Sequence, residues 1–385
     1  MDIHEGGVGA PASPVRLIDT DTEGDEPEAG IALCLSGGGY RAMLFHVGSL
    51  WRLNEAGYLR RLARISSVSG GSITAGVLGR NWARLGFDGS GVGQNFSTEL
   101  VKPIREFAGR SIDAKAIAGG MFLPGTAAER VVAAYREHLY GDATLQDLPD
   151  TPRFVINATN VQSGALWRFS KPYMADWRVG EVKSPKVSLA VAVAASSAFP
   201  PVLSPLEMEA KESDYTPGSG KDLQVAPYTT DIVLSDGGVY DNLGIETAWK
   251  RYKTILVSDA GGKMPAEAEP ERDWARHALR VLDLVDNQVR SLRKRQVIDS
   301  FIAKTRDGAY WGIRTNIQDY GLAQTLSCPF SRTMELASTP TRLKRLDSDV
   351  QERLINWGYA VCDAALRKHV NIALPMGQFP HSIGV

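Results

Sequence analysis

The chain has 385 residues, of which 43% are hydrophobic and 23% are charged, and its net charge is −1. This length allows one large α/β domain or two smaller ones, and the near-zero charge argues against a dedicated nucleic-acid-binding protein. The charge is unevenly distributed, because residues 1–28 hold eight acidic residues and one arginine, a net −7, and the remainder carries +6. We therefore expect an acidic, disordered N-terminal tail ahead of a mildly basic folded body.

Neither the cysteines nor the apolar stretches indicate an extracellular or membrane-spanning protein. Cys34, Cys328 and Cys362 are scattered, without the spacing of a disulfide framework or a zinc site. No charged-then-apolar leader begins the sequence, and the most apolar stretch, residues 187–195, is too short to span a bilayer. We expect a cytoplasmic protein that needs no metal and no cofactor, with membrane contact limited to the periphery of the inner face.

The first predicted strand, residues 31–35, runs directly into Ser36-Gly37-Gly38-Gly39-Tyr40-Arg41, and helical spacing follows over residues 42–59. Glycines that open a helix present free backbone N–H groups at the positive end of its dipole, which predicts an anion site. The loop fits the dinucleotide pattern only loosely, without the expected acid after the second strand, and a phosphate P-loop is absent. The remaining interpretation is an oxyanion hole, with Arg41 adding positive charge nearby.

The second predicted strand, residues 65–68, ends at Ser69-Gly70-Gly71-Ser72, where a second helical pattern begins. A serine on a tight turn between strand and helix is typical of a nucleophile elbow, which needs small residues two positions away on either side. Gly71 meets this need, whereas Ser67 stands where the usual motif has glycine. Ser36, Ser66, Ser67 and Ser72 are rival serines that capping or turn roles explain adequately.

Candidate bases are one histidine and two aspartates. His46 lies in the first predicted helix, where a packed core histidine is the preferred interpretation and a catalytic base the alternative. Residues 232–235 predict a strand that ends at Asp236-Gly237-Gly238, an open turn that suits a base, although Asp-Gly is also common in plain turns. Residues 254–258 predict another strand, which ends at the rival Asp259. Spacing alone does not choose between the two aspartates.

The remaining elements are helices, strands and one apolar loop. Residues 121–125 form an apolar loop, either a lid over an acyl-chain entry or a segment pinned into the core. Residues 274–302 predict the longest helix, whose basic end favours either an anionic lipid surface or, as the preferred interpretation, a core helix with a solvated charged face. Further elements are predicted as a helix over 126–140 with a Thr126/Glu129 capping box, a strand over 153–159, a buried helix over 187–195, a polar surface excursion over 207–230, an edge strand over 310–313 and a final helix over 346–368.

Three blocks together resemble one family. They are Ser36-Gly37-Gly38-Gly39-Tyr40-Arg41, Ser67-Val68-Ser69-Gly70-Gly71 and Asp236-Gly237-Gly238-Val239-Tyr240-Asp241-Asn242. In order and spacing they resemble the patatin-like phospholipases, bacterial members especially, over about residues 31–262. The resemblance implies an α/β fold in three layers, with a mostly parallel central sheet flanked by helices. It also implies a dyad in which Ser69 is the nucleophile and Asp236 the base, with His46 structural.

The oxyanion hole implied by the resemblance is lined by Gly37, Gly38, Gly39 and Arg41, with a backbone N–H near Gly70. We expect an acidic tail over 1–28, a catalytic core over 29–265 and a C-terminal helical extension over 266–385. The predicted function is acyl-ester hydrolysis of membrane phospholipids at a peripheral membrane surface, without nucleic acid. Alternatives are an esterase or thioesterase on soluble acyl esters, and a non-catalytic module that binds an anion or nucleotide. A homo-oligomer or a regulatory activator is left open as a partner.

Overall fold

The computed structural model describes residues 27–112 and 126–385. The predicted N-terminal tail lies outside the described residues, apart from its last two, and Glu28 begins the first strand. The predicted apolar loop at residues 121–125 also lies outside them. None of the described helices is long and apolar enough to cross a membrane.

Ten strands of the described chain form one sheet. They are β1 Glu28–Leu35, β2 Leu62–Val68, β3 Arg153–Asn160, β4 Ala165–Phe169, β5 Tyr173–Asp176, β6 Gly180–Lys183, β7 Leu206–Glu209, β8 Asp231–Asp236, β9 Tyr252–Asp259 and β10 Asp307–Gly312. Their order is β10-β9-β1-β2-β3-β4-β5-β6, and β8 pairs with β3 and with β7.

Helices connect and cover these strands. The α-helices are α1 Gly39–Glu55, α2 Gly70–Arg80, α3 Lys102–Ala108, α4 Ala127–Tyr135, α5 Leu189–Ser196, α6 Gly238–Asp241, α7 Glu246–Trp249, α8 Trp274–Ile302, α9 Phe330–Ala337 and α10 Ser348–His369. Short 3₁₀ turns are Leu59–Arg61, Trp82–Arg84, Leu145–Asp147, Glu212–Asp214 and Ile317–Tyr320, and π-helical turns are Ser97–Val101 and Arg136–Tyr140.

The sheet is parallel at its centre and antiparallel beyond it. β10, β9, β1, β2 and β3 run parallel, which confirms the predicted α/β fold with a mostly parallel central sheet. From β3 onward the pairings with β4, β5, β6, β7 and β8 are antiparallel. The carboxyl ends of the parallel strands meet at one edge, which is where α/β sheets place their ligand sites.

Alternate residues of β1 face two different helical layers. Leu33 and Leu35 belong to the large core on the side of α1, whereas Ala32 and Cys34 belong to a smaller core that includes Val297 of α8. Side chains alternate across a strand, so this strand is apolar on both faces and buried between layers. The result is the predicted three-layer arrangement.

The last helix, α10, is bonded to the first helix, α1. Arg52 of α1 and Asp363 of α10 form a buried ion pair with 2.8 Å between Nε and Oδ1. Ser49 of α1 donates a hydrogen bond of 3.2 Å to the carbonyl oxygen of Gly358 in α10. Because α1 begins at the glycine loop, these contacts with α10 fix the position of the helix that follows the loop.

Several local predictions are confirmed and one is wrong. The buried helix is α5, β10 lies at the sheet edge as expected, and Thr126 caps α4 through a complete capping box with Glu129. The polar excursion adds a strand, β7, which pairs with β8. The preferred interpretation of α8 as a core helix is wrong for its first half, since Trp274 is 85% exposed and Leu282 and Val285 are also exposed. A 3–4 spacing gives a helix with an apolar face, but it does not supply the partner that would cover that face.

Candidate active site

The strands β2 and β8 run in opposite directions, and their last residues pair with adjacent residues of β3. Val68, the last residue of β2, pairs in parallel with Asn157. Asp236, the last residue of β8, pairs in antiparallel fashion with the next residue, Ala158. The chain therefore leaves the sheet twice at the same point, and Ser69, which follows Val68, lies beside Asp236 although 167 positions separate them in the sequence.

Ser69 adopts the strained geometry of a nucleophile elbow. Its φ of 51° and ψ of −121° place a residue with a side chain where L-residues are rarely found, directly before the first turn of α2. Its N–H lies 3.1 Å from the carbonyl oxygen of Ser196 and 3.0 Å from the Ser196 hydroxyl. Two acceptors thus hold the turn that lifts the Ser69 hydroxyl out of the sheet.

The Asp236 carboxyl group is buried and incompletely satisfied. Its Oδ1 accepts a hydrogen bond of 2.7 Å from the N–H of Gly238. Its Oδ2 is buried and has no partner with full hydrogen-bond geometry among the described residues. Burial raises the pKa of Asp236 to about 7, against the lowering effect of the Gly238 N–H and of the Ser69 hydroxyl. The Ser69 hydroxyl therefore lies near enough to the Asp236 carboxyl group to lower its pKa, although the two groups do not form a hydrogen bond of full geometry. Long or poorly aligned catalytic hydrogen bonds are common in unliganded sites.

The glycine loop lies directly against Ser69. A Cβ atom on Gly37 would lie 3.1 Å from the Cβ of Ser69 and 2.3 Å from Oδ1 of Asn242, so a side chain has no room there. Gly38 and Gly39 have φ values of 139° and 58°, which favour glycine. These two conformations let the loop turn sharply into α1 next to Ser69.

Free backbone donors lie in this loop. The N–H of Gly37 donates to the carbonyl oxygen of Asn242 at 3.1 Å. The N–H groups of Gly38 and Gly39 have no acceptor among the described residues, and those of Gly39 and Gly70 begin α1 and α2, where a helix leaves donors unused. A Cβ atom on Gly70 would lie 2.2 Å from the carbonyl oxygen of Gly39, so the two helix starts are in contact. The arrangement offers several donors to one anionic oxygen next to Ser69.

Arg41 is buried behind the loop. Its Nε donates to the carbonyl oxygen of Ala260 at 3.0 Å, and its Nη1 donates to the carbonyl oxygen of Thr339. Burial, and then repulsion from Arg290, lowers its pKa to about 10. These bonds tie the glycine loop to the segment after β9 and to the C-terminal part of the chain, so in this geometry Arg41 positions the loop.

The structure places the rival bases elsewhere. His46 is buried, with Nδ1 2.9 Å from the Ser258 hydroxyl and Nε2 2.9 Å from the carbonyl oxygen of Ser36. Burial lowers its pKa to about 4, so it is neutral, and its interpretation as a packed core histidine is confirmed. Asp259 ends β9, which β1 separates from β2, and its carboxylate accepts from Tyr310 at 2.6 Å and from the N–H of Gly261 at 2.8 Å.

Sequence reasoning missed the hydroxyl groups below the elbow. The Ser196 carbonyl oxygen accepts from Ser69 N–H at 3.1 Å and from Gly237 N–H at 3.2 Å, so one group ties the serine turn to the aspartate turn. The Ser72 hydroxyl lies 2.8 Å from that of Ser196 and 3.0 Å from that of Ser67. Ser67, where the motif expects glycine, is therefore accommodated by a hydrogen bond. The available signal was Ser196-Ser197, two buried hydroxyl residues at the end of an apolar helix, which indicates that hydrogen bonds are needed there but not which partners supply them.

Residues 33–249 match the patatin-like phospholipase family. Among solved structures, the chain is similar to human GIVD cytosolic phospholipase A2 (14% identity, TM-score 0.42, 89% of this chain and 56% of that one) and to VipD from Legionella pneumophila (14%, 0.36, 90% and 67%). A complex of the human enzyme with methyl γ-linolenyl fluorophosphonate is also similar (15%, 0.44, 87% and 57%).

The chain thus spans little more than half the length of the human enzyme that it matches. No curated protein matches the chain. The family match covers more than half of the 385 residues and includes the glycine loop, the serine elbow and the strand that ends at Asp236. This chain belongs to the patatin-like phospholipase family.

Proposed function

We propose that the chain is a serine acyl hydrolase that cleaves acyl esters of membrane phospholipids, with Ser69 as the nucleophile and Asp236 as the base. The observation that carries the proposal is the pairing of Val68 and Asp236 with consecutive residues of β3. It brings a strained serine and a buried carboxyl group together under a loop of free N–H donors. A module that only binds an anion requires the N–H donors but does not require the Ser69 hydroxyl or the Asp236 carboxyl group.

In the first half of the proposed reaction the enzyme is acylated. The Ser69 oxygen attacks the ester carbonyl while its proton passes to Oδ2 of Asp236, the carboxyl oxygen without a partner. A base with a pKa of about 7 is well matched to proton transfer at neutral pH. The negative charge on the carbonyl oxygen is stabilised by the N–H groups of Gly38, Gly39 and Gly70, and such a donor typically contributes ~3–4 kcal/mol.

Collapse of this intermediate breaks the ester bond. The leaving lysophospholipid oxygen takes the proton from Asp236, and the acyl group remains on Ser69. In the second half Asp236 accepts a proton from water, and the resulting hydroxide attacks the acyl carbonyl. The Ser69 oxygen then leaves, takes that proton back from Asp236, and fatty acid is released.

Exposed apolar side chains near the dyad support a lipid substrate. Phe199 and Val202 follow the α5 segment that holds Ser69, and Val239 follows the Asp236 turn; they are 47%, 44% and 49% exposed. Apolar side chains exposed beside a reactive site are suited to contact with an aggregated lipid. We place the enzyme at a membrane surface as a peripheral protein.

The test is fatty-acid release from mixed phospholipid vesicles in the presence of EDTA. We expect release by the wild type and its loss in both Ser69→Ala and Asp236→Ala. Ser170→Ala is the matched control, because Ser170 is a buried serine outside the glycine loop and the elbow, and its hydroxyl donates to the carbonyl oxygen of Tyr173. Release that survives in Ser69→Ala would contradict the proposal. If the wild type prefers short soluble esters or thioesters to vesicles, the result supports a serine acyl hydrolase but contradicts phospholipid as its substrate.

A further inference from the structure

A cavity opens on the far side of β1 from Ser69 and Asp236. It has a volume of ≈ 370 Å³ and lies at the carboxyl ends of β9 and β10. Its lining consists of Asp259, Gly261, Lys294, Ile298, Tyr310, Gly312, Arg314, Thr315, Asn316, Asp319, Tyr320 and His369. Neither Ser69 nor Asp236 belongs to this lining, so the cavity is distinct from the proposed active site.

The segment after β9 forms a wall between the two places. The N–H of Ala260 donates to the Ser36 hydroxyl at 2.8 Å, and its carbonyl oxygen accepts from Nε of Arg41 at 3.0 Å. The glycine loop therefore lies on one side of this segment and the cavity on the other.

Two half-buried cations of the cavity have no direct bonding partner among the described residues. Lys294 and Arg314 have no ion pair and no hydrogen bond with any of the described residues. The Lys294 ammonium lies 4.8 Å from the centre of the Tyr310 ring, which is its observed contact. Positive side chains removed from water without a hydrogen-bonding partner are costly to keep charged.

These cations also repel one another. Burial lowers the pKa of Lys294; the charge of Asp259 opposes this, and Arg314 and then Arg290 lower the pKa further. The Asp259 oxygens already accept from Tyr310 and from Gly261, and Asp319 lies exposed at the rim. Neither carboxylate forms a direct bond with Lys294 or Arg314, so the N–H groups of these two cations remain available for an anion.

We propose that this cavity binds a phosphate monoester group, with Lys294 and Arg314 as its charged ligands. A dianion matches two cations, and guanidinium and ammonium groups are the usual protein donors to phosphate. The Thr315 hydroxyl oxygen accepts from the N–H of Gly312 at 3.2 Å, which leaves its O–H free to donate. The volume lies in the range of small-molecule sites, roughly 300–1,000 Å³, so it has room for the group that carries the phosphate.

The proposal is tested by direct binding, which does not depend on hydrolysis. Inorganic phosphate and glycerol 3-phosphate are titrated calorimetrically into the full chain, as wild type, Lys294→Gln, Arg314→Gln and Arg314→Lys. Arg295→Gln is the matched control, since Arg295 is an exposed cation on the same helix and does not line the cavity. Thermal unfolding of each variant shows whether it is folded.

We expect one site in the wild type, at least tenfold weaker binding in Lys294→Gln and Arg314→Gln, partial recovery in Arg314→Lys and no change in Arg295→Gln. If one variant fails to fold, the other carries the test. Vesicles with phosphatidic acid reveal the source of the group: competition with glycerol 3-phosphate indicates a lipid headgroup, and its absence indicates a soluble phosphate. No binding to the wild type at millimolar ligand, or equal binding by all variants, would overturn the proposal.

Discussion

Replacing Asp236 with asparagine should abolish hydrolysis and stabilise the fold. In the folded chain burial raises the pKa of Asp236 from 3.8 to about 7. Between these two values the unfolded chain carries an ionised carboxylate, whereas the folded chain holds the proton. The folded state of the wild type therefore loses stability as the pH rises from 3.8 to about 7, and above that the full loss persists. At ~1.4 kcal/mol for each tenfold change in the protonation equilibrium, the loss is about 4 kcal/mol.

Asparagine has nearly the same shape and carries no charge, so Asp236→Asn escapes this loss. Its Oδ1 can still accept from the N–H of Gly238. Urea unfolding of variant and wild type at several pH values measures the difference directly. The advantage of the variant should grow by about 2–3 kcal/mol between pH 5 and pH 8.

The control is Ser235→Ala, which alters the preceding residue of the same strand without removing an ionisable group. Its difference from the wild type should stay constant with pH. If the Asp236→Asn difference is also constant, or falls as the pH rises, the carboxyl group has no raised pKa and the reasoning about its burial fails.

Three further predictions concern the surroundings of Ser69 and Asp236. Gly37→Ala should reduce hydrolysis at least ~100-fold, the scale of a lost oxyanion donor, because its methyl group would collide with the Asn242 side chain, 2.3 Å away. Ser196→Ala should lower kcat roughly tenfold with KM unchanged, since it removes one of two acceptors for the elbow N–H, and stopped-flow acylation measures this. His46→Gln should make the stability of the fold less dependent on pH. In the wild type the unfolded chain binds a proton between pH 6.5 and about 4 that the buried ring does not bind, so the free energy of unfolding falls by about 3 kcal/mol over this range. The variant should not show this fall.

Matched substitutions separate these effects from general damage. Gly89→Ala is the control for Gly37→Ala, because a Cβ atom there would meet no atom of the described residues within 4 Å. Ser197→Ala is the control for Ser196→Ala, since its hydroxyl bonds to Val193 and Tyr135 and not to the elbow. Equal loss of activity in a variant and its control would mean that the predicted contact has no specific role. A pH profile of unfolding in His46→Gln that equals that of the wild type would contradict the neutral, buried histidine.

The sequence was sufficient for the central part of the fold, because its signals there are local. A short apolar run followed by glycines or by Ser-Gly-Gly predicts a strand, a turn and a helix, and β1, α1, β2 and α2 form as expected. The three-layer arrangement follows from β1 being apolar on both faces. The exposure of α8 was missed, since the pattern of a helix does not tell whether another element covers it.

The sequence was enough to name the residues of the candidate site but not to predict how they come together. From the residues alone Asp236 and Asp259 were equal candidates, and the family resemblance favoured the first. Strand order and register separate the two aspartates in space. The strand β8, which ends at Asp236, runs antiparallel to β3 and ends beside β2, whereas β9, which ends at Asp259, lies on the other side of β1. Long-range pairing of this kind leaves no local trace in the sequence. The Ser196 contacts were missed for the same reason, since the residue meets the elbow 127 positions away.

The most direct test of the central claim is covalent labelling with a long-chain fluorophosphonate across a range of pH. Attack by Ser69 on phosphorus, with loss of fluoride and transfer of the hydroxyl proton to Asp236, leaves a stable adduct that peptide mass spectrometry locates. We predict a single adduct on Ser69, formed at a rate that rises with pH through about 7 as Asp236 ionises, and no adduct in Asp236→Asn. An adduct on another serine, or labelling of Asp236→Asn at the wild-type rate, would contradict the account.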